Sequence, residues 1–211
     1  MTPATLPPGH SAAPGRAQEE LRNPAPGRRA GTGWVVLTGV VAGVAGALAM
    51  ALWLMFCAEV ANDPTPVAGI DSSTWTPLTG ITSFVFGVDA FHGDFHVLSI
   101  LFGAAAHLFL GVAFGVVGVG LIAYTFAGRP GVGGGAALGL AYGLVLEVLV
   151  LNIVVNWTQD VPTVADALPS WGWWIGHAFY GTTLGLVAAR MLSLGAPGVT
   201  PSGLLAQEAR R

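Results

Sequence analysis

The run HVLSILFGAAAHLFLGVAFGVVGVGLIAY, residues 96–124, decides the fold class of this chain. It holds no Asp, Glu, Lys or Arg. It is also longer than the roughly 20 residues a helix needs to cross the hydrocarbon core of a bilayer. Inside it lies His107-Leu-Phe-Leu-Gly111-Val-Ala-Phe-Gly115, a histidine followed by glycines at four-residue spacing. The pattern recurs at His177-Ala-Phe-Tyr-Gly181-Thr-Thr-Leu-Gly185. Such spacing puts the three positions of each copy on one helix face. A histidine in a membrane-length apolar run is costly, which makes each of these a candidate functional residue.

Outward from this run, three further apolar stretches appear, giving spans at about 34–61, 96–124, 133–157 and 168–192. The composition agrees: 9% of the residues are charged, against roughly 25% in soluble domains. Residues 1–33 are rich in Pro, Gly, Ala and Arg without apolar periodicity and read as a disordered tail; 194–211 form a second polar tail. The expected fold is therefore all-α, a four-helix transmembrane bundle over 34–193. With four spans, Arg16, Arg22, Arg28, Arg29, Arg129, Arg190, Arg210 and Arg211 all fall on one side. The positive-inside rule then places both termini in the cytoplasm. Trp157, Trp171, Trp173 and Trp174 gather near the opposite face, as an aromatic belt would. The lone Cys57 excludes an intramolecular disulfide and reads as a small buried hydrophobe.

The halves of the chain can be compared. Asp63-Pro-Thr-Pro-Val-Ala and Asp160-Val-Pro-Thr-Val-Ala share one offset with Gly46 and Gly143. The histidine motifs are closer together, which locates an insertion at roughly residues 69–95. Two tandem two-helix repeats account for this pattern; compositional likeness among glycine-rich helices is the alternative. The inserted loop carries Ile81, Phe84, Phe86 and Phe91, apolar enough to lie on the membrane surface, with Pro77 and Gly80 expected to break regular structure before it.

The polar residues of the spans define the candidate chemistry. Gly139, Gly143 and Glu147 form a stripe that lets another helix approach closely, as do Gly111 and Gly115 and Gly181 and Gly185. Counted inward from Trp157 and from His96, Glu147 and His107 come to depths of about 15 and 16 Å at the helical rise. They are thus expected to form a buried polar pair, which can relay protons, bind a cation or simply fix helix packing. His177 and Asn152 lie nearer the surface as a second polar site; Asn152 is about 140° round the helix from Glu147. His92, Asp94 and His96 are weak candidate metal ligands, since Gly93 and the loop setting make a poor cage. Haem ligation by His107 and His177 requires both rings at one depth in one cavity, and their estimated depths differ by several ångström. No P-loop, nucleophile elbow or dinucleotide fingerprint is present, and the chain lacks a basic patch for nucleic acid.

Several features together resemble the YagU-like bacterial inner-membrane proteins. A first span ends in Ala58-Glu59-Val60 with Pro64 and Pro66 close behind. A longer loop leads to a span with the central His107, and a last span opens with Gly176-His177 and closes at Arg190. The resemblance covers roughly residues 35–193; the long tail and heavier glycine content depart from the family. It implies a four-span protein associated with acid-stress survival. On all these grounds the expected function is non-enzymatic and needs no cofactor. His107 and Glu147 would handle protons or a cation in transport or stress adaptation. The alternatives are a structural or assembly subunit of a membrane complex, and a haem- or metal-binding redox protein. The expected partners are the lipid bilayer and, through the glycine faces, a second copy or another membrane protein.

Overall fold

The computed structural model describes residues 30–60, 74–86, 96–127, 130–150 and 168–194. All secondary structure in these residues is helical: α1 (Thr32–Val60), α2 (Thr76–Phe86), α3 (His96–Thr125), α4 (Val132–Leu149) and α5 (Ser170–Leu194). Three of them, α1, α3 and α4, are long and apolar enough to cross a membrane. At 25 residues α5 has the length, but Thr182, Thr183, His177 and its tryptophans make it less apolar. It compensates by position: Trp173, Tyr180, Leu184, Ala188 and Leu192 are all buried. The surface is apolar instead, with Leu52, Val97 and Phe109 each more than two-thirds exposed. A continuous apolar exterior of this kind marks a membrane protein.

The long helices pack in the order α3–α1–α5–α4, each antiparallel to its neighbour. Glycine sets the closeness of the two outer pairs. A Cβ on Gly143 would run into the carbonyl oxygen of His177 and come within 3.0 Å of Gly181 Cα; one on Gly139 would come within 2.8 Å of Gly185 Cα. The same interlock joins α1 to α3, where Gly115 lies against Gly43 and Gly111 against Ala47. Backbones this close gain dispersion along their whole length, the main attraction available between helices that share an apolar surrounding. The central pair, α1 and α5, is fastened at both ends by indole N–H donors. Trp34 donates to Met191 O at 3.0 Å, and Trp53 donates to Gly172 O at 2.9 Å. At the Trp53 end the ring also packs on Trp171 and Phe179. Helices α3 and α4, at the ends of the row, touch where the Tyr142 hydroxyl donates to Phe114 O at 2.8 Å.

Three details depart from the sequence reading. Pro77 and Gly80 do not precede a regular segment but lie within α2. Pro77 stands in the first turn, where its missing N–H has no intrahelical partner to lose. This helix is inverted relative to a surface helix of a soluble protein. Thr76, Thr79, Thr82 and Ser83 are buried, whereas Phe84, Val85 and Phe86 face outward. Its polar face docks on α3 through Thr82, whose hydroxyl donates to Ser99 O at 2.6 Å. Trp173 is buried rather than part of a surface belt, unlike Trp171 and Trp174. Finally, Gly46 packs against Tyr180 of α5, not against α3, so it is not the counterpart of Gly143. By contact, Ala47 holds that place. The tails, Asn152, Trp157, His92 and Asp94 lie outside the described residues, as does the side chain of His96.

Candidate functional site

The interlock of α4 and α5 runs as a register: Gly139 against Gly185, Gly143 against Gly181, and one turn further on Glu147 against His177. Glycines bring the two backbones together, and the next position on each stripe holds an ionisable group at the resulting short range. His177 Nδ1 lies 2.6 Å from Glu147 Oε2, with Glu147 only 2% exposed. The same nitrogen is 3.1 Å from the carbonyl oxygen of Trp173. A carbonyl oxygen only accepts, so Nδ1 carries the hydrogen. That N–H is aimed at Trp173 O, and Oε2 sits beside it without an aligned donor of its own.

This arrangement corrects the expected pairing of Glu147 with His107. The reason lies in the α1–α3 register. The position that would face His107, as Glu147 faces His177, is occupied by Ala51. With no acid opposite, His107 Nε2 donates to Ala47 O at 3.0 Å. Depth counted along each helix separately says nothing of which helices face each other, and α4 interlocks with α5, not with α3. His107 and His177 are also at matching levels rather than several ångström apart. One turn beyond each, the Tyr180 hydroxyl of α5 donates to Gly111 O of α3 at 2.8 Å.

Both histidines line one cavity of about 530 Å³, bounded by all five helices. Leu54, Leu78, Ile81, Phe114 and Leu146 contribute to its apolar wall. The polar side chains in that wall are His107, His177, Trp173 and Tyr180, of which Tyr180 is already engaged with Gly111. Glu147 does not reach the cavity; it stands behind His177. Among the described residues, three buried side-chain atoms lack a hydrogen-bond partner: Thr38 Oγ1, Glu147 Oε2 and Trp173 Nε1. Two of the three belong to residues in contact with His177. An unsatisfied buried polar atom costs about 1–3 kcal/mol, so their concentration at one place calls for a functional explanation.

Chemically, the site is a carboxylate–imidazole dyad. Glu147 and the carbonyl oxygen of Trp173 both lie against Nδ1, which leaves Nε2 as the ring nitrogen not engaged among the described residues. The donor set does not suit haem. His107 has committed Nε2 to Ala47 O, and the wall holds no cation for the propionates. Among the described residues no three His, Cys, Asp or Glu side chains gather as metal ligands. Cys57 is buried and stands apart from this wall. No protein-family model matches this chain, and comparison with curated proteins and with solved structures returned no match.

Proposed function

We propose that the protein is a four-span bacterial inner-membrane protein, both termini cytoplasmic, in which the Glu147–His177 dyad accepts and releases a proton within the bilayer. The observation that carries this reading is the 2.6 Å contact of two ionisable groups, Glu147 at 2% exposed and His177 on the wall of an apolar cavity. A buried ionisable residue in such a setting faces the bundle interior and marks an ion or proton path. α5 counts as the fourth span because it has the length and its His177, Trp173 and Tyr180 are turned inward, and α2 as a segment within the membrane because Phe84, Val85 and Phe86 are turned out. The arginine distribution supports the orientation. A role in stress adaptation, implied by the YagU-like resemblance, fits a proton-handling site. Tandem duplication of a two-helix unit, with Ala51 in the first copy where Glu147 stands in the second, fits the shared glycine register.

The test is proton movement into liposomes carrying the purified protein and an internal pH dye. After an external acid pulse, wild type is expected to acidify the lumen faster than empty liposomes. His177→Phe, which keeps a ring but no titratable nitrogen, is expected to return the rate to that baseline, with His107→Phe retaining most of it. Equal rates for wild type and His177→Phe would overturn the reading and favour a packing subunit.

A further inference from the structure

The wall of the cavity is unlike that of a site for a charged or strongly polar solute. It offers about 530 Å³ of space, inside the roughly 300–1,000 Å³ range of small-molecule pockets, and apolar side chains from five helices. Among the described residues no carboxylate, arginine or amide lines it. Its free polar capacity is of one kind. His177 is 7% exposed, and its Nδ1 is held by Trp173 O and Glu147. Since Nδ1 carries the hydrogen, Nε2 of the neutral ring is a bare lone pair, and among the described residues it has no partner. His107 repeats the logic with the nitrogens exchanged: Nε2 donates to Ala47 O, leaving Nδ1 bare. Each ring has its tautomer fixed by a backbone carbonyl, and each presents an acceptor where it lines the cavity.

An acceptor in an apolar enclosure is satisfied by a neutral donor, since a cation there would be uncompensated by any carboxylate in the wall. We infer that the cavity binds a lipid-soluble alcohol or phenol, an apolar body whose hydroxyl donates to His177 Nε2. His107 Nδ1 serves a second hydroxyl where the molecule has one. The inference rests on the proposed membrane setting and shares His177 with the proton site. Binding needs only the bare nitrogen, not the transfer of a proton, and therefore does not depend on proton movement.

A long-chain fatty alcohol carrying a diazirine tests this with the full-length protein in mild detergent. Photolysis and peptide mapping are expected to place saturable label on cavity residues such as Ile81, Leu146 and Trp173. The unlabelled alcohol is expected to compete at least tenfold better than its methyl ether, which has the same body but no donor. His177→Phe, which retains the ring volume, is expected to weaken competition by the alcohol about tenfold and leave the ether unchanged. Glu147→Gln is expected to keep binding, so loss of proton movement alone would separate the two proposals. Equal competition by alcohol and ether, or label spread without saturation over outward faces such as Leu52 and Val117, would overturn the inference.

Discussion

Replacing His177 by leucine is expected to destabilise the protein by about 1–3 kcal/mol, the cost of leaving the buried carboxyl of Glu147 without its nearest polar neighbour. Glu147 is 2% exposed, and its Oε2 has no other close polar partner among the described residues. The reverse substitution is expected to be milder. In Glu147→Leu the imidazole keeps Trp173 O as acceptor for Nδ1, so the loss should be about 1 kcal/mol, that of one ordinary hydrogen bond. The double variant should then be more stable than His177→Leu alone, because no buried carboxyl is left without a partner. Reversible unfolding in mixed micelles measures all three. The cycle with His107 in place of His177 is expected to be additive, since His107 bonds to Ala47 O and not to Glu147. Strong coupling of Glu147 to His107 would contradict the register described above.

The second large effect concerns backbone contact. Gly143→Ala places a Cβ against the carbonyl oxygen of His177 and within 3.1 Å of Gly181 N. These are backbone atoms of a facing helix and cannot rotate away. The helices must separate, at a cost of about 1–3 kcal/mol for overpacking. The separation also acts at the next position of the stripe, drawing Glu147 from His177, so proton movement should fall along with stability. Gly120→Ala is the matched control. A Cβ there meets nothing within 4 Å, and alanine removes glycine's helix penalty of about 0.5–1 kcal/mol. Thermal unfolding in one detergent should lower the midpoint for Gly143→Ala and hold or raise it for Gly120→Ala. Equal midpoints would mean that α4 and α5 are not packed backbone to backbone.

Much of this architecture is legible in the residues. The apolar runs mark the long helices to within a few positions wherever their ends lie among the described residues. The four-residue spacing of Gly111, Gly115, Gly139, Gly143, Gly181 and Gly185 marks the faces that interlock. Which ionisable groups meet was misread, because depth counted along each helix separately says nothing of which helices face each other. A better signal was present. Gly139-x-x-x-Gly143-x-x-x-Glu147 and His177-x-x-x-Gly181-x-x-x-Gly185 are the same spacing in opposite order, which antiparallel helices bring into register. The placement of α2 was hidden for another reason. Proline and glycine read as breakers only where the backbone needs a donor or a side chain. Here Pro77 occupies the first turn and Gly80 is buried. The shared cavity was not legible at all, because it depends on α3 and α4 meeting at Tyr142 and Phe114 rather than along their length.

The central claim is that Glu147 holds His177 as a ring protonated at Nδ1, with Nε2 left bare. Nitrogen-15 spectra of histidine-labelled protein in lipid at neutral pH test it directly; His177→Phe assigns the signal. The account predicts that at neutral pH Nδ1 of His177 carries the hydrogen and Nε2 is bare, and that the Nδ1 signal moves in Glu147→Gln because that nitrogen touches the carboxyl. A bare Nδ1 at neutral pH, or an Nδ1 signal unaltered by Glu147→Gln, would contradict it.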